Sequence, residues 1–406
     1  MTDQASPPIT RIQQAGLIFV MLMVFTEALT VAFNIGAIMT KFGASGAHAG
    51  FVATAQGLST ATAAMVGTRL ISRHTARRLI VIGLMLVAVG HGLSLVATNV
   101  KMMAAFQALG GLGTGLVICV VLATAARAPK PELTYGLING SAGAYLSILA
   151  LVVPKLLLFG GFTALYGFYS LLAMVGLCCL PAIPNVRAPS VAGPRTTADT
   201  GRFKIGMIAN KSGWIALIGM GIFYFSIAGM GAFIARIGVN LDISLETIGM
   251  AFFVGGMLTI VCPVAAGFVG ARFGSTRPLI LVGSLMCLTA FGIAISGNNS
   301  SFLMGVPMWI VLPAILTPSF LGGLAVIDPT GKLAGAQPAF ATLGGSMGPM
   351  IAGAVADAGG FGTLGIFIVC ALSTGLVLMA VATLRADVIR KRATSPLNEA
   401  MLSRSV

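Results

Sequence analysis

Residues 15–39 read AGLIFVMLMVFTEALTVAFNIGAIM, a run in which Glu27 is the only formal charge. A hydrocarbon layer of about 30 Å is crossed by roughly 20 helical residues at about 1.5 Å each, so this run is long enough to span a bilayer. It is longer than the roughly 7–15 apolar residues of a secretory leader and contains an acid, so it is expected to remain in the mature chain as a span. The rest of the chain has the same character. Of the 406 residues, 57% are hydrophobic and 8% charged, against roughly 25% charged in a soluble domain, which excludes an ordinary water-soluble enzyme. The net charge of +14 does not mark a nucleic-acid-binding face, because too few polar residues remain to build one, and no nucleic-acid partner is expected. The six cysteines sit in apolar runs with neither metal-ligand spacing nor a histidine beside them. They give no basis for a zinc site or a disulfide framework, and no metal or cofactor is expected.

Outward from the first run, eleven more of comparable length follow. The twelve expected spans cover residues 15–39, 49–71, 79–98, 102–126, 135–158, 161–181, 213–237, 248–270, 278–296, 301–326, 333–356 and 361–383. The runs are continuous rather than alternating, which excludes a membrane β-barrel. The tenth contains Pro307, Pro313 and Pro318 and is expected to kink or partly unwind. A polar interval rich in Pro, Arg and Lys, residues 182–212, divides the spans six and six. The expected organisation is an N-terminal six-helix half over residues 1–181, a cytoplasmic central loop over 182–212, a C-terminal half over 213–383 and a cytoplasmic tail over 384–406.

Charge distribution supplies an orientation. With the N-terminus inside, 20 of the 24 Lys and Arg fall in cytoplasmic segments and only Lys41, Lys101, Lys155 and Arg236 fall outside. That asymmetry places both termini in the cytoplasm by the positive-inside rule. The halves also repeat. At an offset of 200, Leu17, Phe25, Ala32 and Phe33 fall on Leu217, Phe225, Ala232 and Phe233; at 199, Gly50, Gly57 and Arg73 fall on Gly249, Gly256 and Arg272. Two parallel six-helix repeats point to a secondary transporter with its site between them.

The stretch Gly267-Phe-Val-Gly-Ala-Arg272-Phe273-Gly274-Ser-Thr-Arg277 resembles the loop signature of the major facilitator superfamily, with Ala271 in place of the acid. The matching stretch of the first half keeps Arg73, Arg77 and Arg78 but lacks the acid and the second glycine. The resemblance implies an all-α fold of twelve transmembrane helices in two pseudo-symmetric six-helix halves. It also implies a gating role for the loops that carry Arg73, Arg77, Gly267, Arg272 and Gly274. Gln107 through Gly113 in the fourth span resembles a family Arg-x-x-x-Gly-x-Gly element with Gln107 in the Arg position, and Gly348-Pro349 resembles a family bend. The fifth span lacks the Gly-Pro-x-x-Gly-Gly pattern of many drug/proton antiporters, which disfavours an efflux reading.

Ionisable groups at bilayer depth are the sharpest functional pointers, since each costs at least about 2.5–3.5 kcal/mol on insertion scales. Of the ten acids, nine are expected in loops and tails and Glu27 alone at mid-span. Glu27 is therefore expected to couple transport to protons. Thr30 lies three residues further along and Asn34 four beyond that, on the same helix face. The resemblance implies that the first, fourth, seventh and tenth spans line the cavity, which makes Gln107, Tyr224 and Trp309 substrate candidates with Thr30 and Asn34. Asn139 and Gln337 on adjoining spans complete the set, with Gln56 and Tyr145 nearby. Lys155 and Arg236, near outer helix ends, are expected to snorkel to the interface. His91, alone among Gly90, Gly92 and Ser94, reads as a packing residue.

No Gly-rich nucleotide loop and no catalytic constellation accompanies these residues, so neither ATP drive nor an enzyme is expected. The expected protein is a proton-coupled transporter, symporter or antiporter, of a small weakly acidic, neutral or aromatic solute. It is expected to work by alternating access, as a monomer, in the lipid bilayer of a bacterial inner membrane. The rivals are a proton-coupled multidrug efflux pump and, more remotely, a polytopic sensor that does not transport.

Overall fold

The computed structural model describes residues 9–71, 73–185, 211–273, 276–328 and 332–393. Most of the expected central loop, the last residues of the tail and Gly274 lie outside them. Eleven α-helices and a short 3-10 turn occur among the described residues: α1 Arg11–Leu29, α2 Val31–Phe42, α3 Gly46–Leu70, α4 Ala76–Ser94, α5 Val100–Ala125, α6 Pro131–Cys178, α7 Lys211–Asn240, α8 Leu245–Phe273, α9 Thr276–Ala294, α10 Asn299–Ile327 and α11 Lys332–Ala393.

Three local breaks account for the difference from the expected twelve. The first apolar run is divided into α1 and α2 at Thr30, whose φ of −110° and ψ of 14° leave the helical region. At 48 residues, α6 is too long for one crossing, and it breaks at Gly160 and Gly161. Similarly, α11 extends over 62 residues and breaks at Gly360. Gly161 has φ 56° and Gly360 φ 75°, a region open to glycine at little steric cost. The described residues thus form eleven helices rather than twelve, with α6 and α11 each long enough for two crossings. The expected unwinding of the tenth span is corrected: α10 stays helical through Pro307, Pro313 and Pro318. Neighbouring helices enclose much of it, with Val306, Leu316 and Phe320 fully buried.

Nine of the described helices are long and apolar enough to cross a membrane. On their outer faces Met304 is 75% exposed and Leu281 73%, a surface suited to lipid rather than water. Small residues bring the helices into backbone contact. An added Cβ on Gly111 or Gly115 of α5 would collide with the Gln56 or Thr60 carbonyl of α3, and one on Gly113 would meet the Gly83 carbonyl of α4. Gly113→Val is therefore expected to destabilise the fold by about 1–3 kcal/mol through overpacking. The purified variant's melting temperature should fall by several degrees, and an unchanged transition would remove this account of the α4/α5 contact.

The bundle has two unlike ends. At the terminal end, where α1 begins and α11 finishes, Gly16 lies against Ala182 and the Arg385 side chain donates to the Ser212 hydroxyl. At the far end, α3 packs on α11 and α6 on α8. Gly50 lies on the Pro349 carbonyl and Gly57 on Ser346, while Gly249 lies on the Ala150 carbonyl and Gly256 on Ser147. Positions 349 and 150, like 346 and 147, differ by the same 199 residues as Gly249 and Gly50. The sequence repeat is thus a repeated seam. One difference between its two copies is Asp357, which, expected in a loop, belongs to α11 and accepts from the Gly46 and Ala47 amides at 2.7 and 2.8 Å. This caps the N-terminus of α3 from across the seam.

The buried apolar side chains follow the same division. One cluster continues from Phe33, Val52 and Leu149 into Phe233, Phe252 and Phe320, joining the helices of both seams at the far end. A separate cluster of Leu17, Leu79, Val117 and neighbours belongs to α1, α4 and α5 toward the terminal end.

Candidate functional site

The site grows out of the break at Thr30. Its hydroxyl donates to the Thr26 carbonyl at 2.8 Å, and the Asn34 side-chain amide donates to the Glu27 carbonyl at 3.1 Å. Side chains thus satisfy carbonyls that a continuous helix would satisfy with its own amides, which is how Thr and Asn interrupt helices. The Tyr169 hydroxyl closes this knot, 2.6 Å from the Thr30 hydroxyl and donating to Asn34 Oδ1 at 2.5 Å. Beside it, the Thr26 hydroxyl lies 2.8 Å from that of Tyr145.

Glu27 is 5% exposed and projects from α1 toward three other helices. Gln56 of α3 donates to Oε2, and His91 Nε2 of α4 lies 3.5 Å from the same oxygen. The Gln107 amide of α5 meets complementary partners in one orientation, donating to Oε1 at 2.7 Å and Oε2 at 3.1 Å while accepting from the Ser94 hydroxyl at 3.0 Å. A carboxylate only accepts, so this ring of N–H groups matches its ionised form. A proton arriving on Glu27 turns an acceptor into a donor, so the hydrogen-bond roles around it must change, either by an amide turning away or by His91 presenting Nε2 as an acceptor. The His91 Nδ1 atom and the Tyr166 hydroxyl, both buried close by, have no hydrogen-bond partner among the described residues.

The expected site residues divide into separate groups. Glu27, Thr30, Asn34 and Gln107 come together. Tyr224 and Trp309 belong to a second region, where the Tyr224 hydroxyl lies 3.4 Å from that of Thr317 and the buried Trp309 indole N–H has no partner among the described residues. Asn139 is exposed on α6, and Gln337 is buried in α11. Neither is in the Glu27 ring. Of the expected gating residues, Arg73 is exposed, whereas Arg77 donates to the Ile183 carbonyl at 2.7 and 3.1 Å, tying α4 to the segment just after the 3-10 turn that follows α6, through backbone rather than through an acid. Gly267 and Arg272 lie in the last turns of α8.

His91, expected as a packing residue, faces the Glu27 carboxylate, and Tyr166 and Tyr169 were not among the expected site residues. A lone histidine carries no periodic signal, but two tyrosines three residues apart in one apolar span do share a helix face, and that spacing was available to find them.

Comparison with known proteins agrees with this architecture. The sequence profile of the Major Facilitator Superfamily matches residues 15–324. Comparison with curated proteins gives no match. Among solved structures, a mutant of the nucleoside transporter NupG superposes with a TM-score of 0.76 at 13% identity, covering 91% of this chain and 98% of that one. A mutant of the peptide transporter POT gives 0.72 at 15% identity, covering 93% and 95%. A D-xylose-proton symporter gives 0.68 at 14%, covering 92% and 96%. At these identities the likeness bears on the fold alone. The chain belongs to the Major Facilitator Superfamily, and its fold is that of a multi-pass membrane transporter.

Proposed function

We propose that this protein is a proton-coupled secondary transporter of a small organic solute, a weak acid or a neutral aromatic compound. It works as a monomer by rocking an N-terminal half (1–181) against a C-terminal half (213–383). The observation that carries the reading is the convergence of Gln56, His91 and Gln107 on Glu27. Protonation there alters the hydrogen bonding of a group in contact with α3, α4 and α5, and Gln56 directly precedes Gly57, which packs on Ser346 across the seam. A proton is thereby linked to the far-end contact between halves, and a ligand or proton shifts a two-state equilibrium only through such a differential interaction. Thr30, Asn34, Tyr224, Trp309 and Gln337 are the solute-contacting candidates, with Asn139 near the mouth.

The 20 to 4 division of bases supports cytoplasmic termini, and the membrane of this proposal is a bacterial inner membrane. With that orientation, seams packed at the far end and separate cores toward the terminal end belong to the inward-facing member of the alternating pair. Reconstitution into proteoliposomes with an imposed pH gradient tests the function. Weak organic acids and neutral aromatics should accumulate up to about tenfold per pH unit for each proton coupled. Gradient-driven extrusion of lipophilic cations would favour efflux instead, and a complete absence of gradient-dependent flux would overturn the proton-coupled reading.

A further inference from the structure

A pocket of about 410 Å³ opens at the far end, walled by α2, α6, α7 and α8. Its walls are apolar, with Phe33, Leu157 and Phe162 among them, and it contains two cations, Lys41 and Arg236, but no acid. Asp357, the acid engaged at this end, is occupied by the Gly46 and Ala47 amides. Asp242 and Glu246 lie on the α7–α8 turn and the first turn of α8, outside the lining.

The location of Arg236 separates it from a cation that merely reaches for water. Its stem crosses Gly36, with Cδ 3.4 Å from where a Cβ on that glycine would stand. Gly36 and Arg236 are also 200 residues apart, the offset that aligns α1 and α2 with α7. Equivalent positions of a two-fold repeat approach each other only near the axis that relates them. Arg236 therefore sits near the central axis of the bundle, where a solute crossing between the halves must pass, rather than on the lipid-facing rim.

We propose that this pocket binds an amphipathic organic anion before or after its passage, Arg236 with Lys41 holding a carboxylate head and the Phe33, Leu157 and Phe162 walls holding an apolar or aromatic body. Guanidinium pairs with carboxylate in a planar, two-bond geometry, and apolar walls strengthen that pairing by excluding water. The proposal rests on the transport reading for its purpose but not for its test, which measures binding and needs no flux or proton gradient.

The probe is benzoate, titrated calorimetrically into purified protein in zwitterionic phosphatidylcholine nanodiscs at neutral pH, with neutral benzamide as its uncharged counterpart. Wild type should bind benzoate at least about tenfold more tightly than benzamide, a difference of about 1.4 kcal/mol. Arg236→Gln should remove that preference, Lys41→Gln should reduce it, and Arg236→Lys should retain part of it, which also separates loss of charge from loss of fold. Equal binding of the two probes by wild type, no binding of benzoate, or unchanged affinity in Arg236→Gln would each overturn the proposal. Nanodiscs containing phosphatidylglycerol distinguish the source of the anion. If they abolish benzoate binding by wild type, the head that fills the pocket is a lipid phosphate, and the assignment to a free solute fails.

Discussion

Glu27→Gln is expected to abolish proton-driven accumulation while leaving the protein folded and able to exchange solute down its gradient. Glutamine keeps the size and the acceptor oxygen of the side chain, so Gln56 or Gln107 can still donate to it. It cannot gain or lose a proton, so the rearrangement among α3, α4 and α5 no longer follows pH. Each coupled proton supplies about 1.4 kcal/mol per pH unit, equivalent to about tenfold accumulation. The variant's accumulation ratio in proteoliposomes should therefore fall to about one, with counterflow of labelled solute preserved. A wild-type ratio in Glu27→Gln would remove Glu27 from the coupling role. His91→Gln serves as a companion: it should shift the pH profile of transport if the imidazole is part of the ring, and leave it unmoved if the residue only fills space.

The second large effect is expected at Gly50. An added Cβ there would stand 2.7 Å from Met350 Cα and closer still to the Pro349 carbonyl. Both obstacles are backbone, so no side chain can swing aside. Gly50→Val should oppose closure of the α3/α11 seam specifically, by about 1–3 kcal/mol, a shift in population of roughly 5–150-fold toward the state open at the far end. Transport should drop to a few per cent. In a background lacking the six native cysteines, a cysteine at Ser346 should react with a membrane-impermeant maleimide many-fold faster in Gly50→Val than in its parent. Equal labelling would show that the seam is not the moving contact. Gly249→Val on the equivalent α6/α8 seam should behave in the same way, since its Cβ would strike the Ala150 carbonyl.

Much of this architecture could be read from residue order, and the parts that could not have physical reasons. Long apolar runs are a local signal, and they led to the observed helices. The offset of 199 residues pointed to a repeat, but only the fold shows that Gly50 and Gly249 occupy matching seams, because partners such as Pro349 and Ala150 are far away in sequence. Glu27 stood out through the cost of burying an acid. Its partners did not, since Gln56, His91 and Gln107 come from three helices, and nothing along the chain records which faces those helices turn toward α1. The expected substrate set divided for the same reason: membership of a cavity-lining span does not fix side-chain direction, and Thr30 and Asn34 turned out to be engaged with Tyr169.

The break at Thr30 has a mechanical consequence. It leaves α2 as a separate rigid rod of 12 residues, about 18 Å long at 1.5 Å per residue, with its fulcrum one helical turn from the Glu27 carboxylate and Lys41 near its tip. A rotation of about 10° at that fulcrum sweeps the tip by about 3 Å, roughly the reach of one hydrogen bond. Under the proposed coupling, chemistry too small to move a whole half of the bundle would be geared up by the length of α2 into a displacement that the far wall of the pocket would feel.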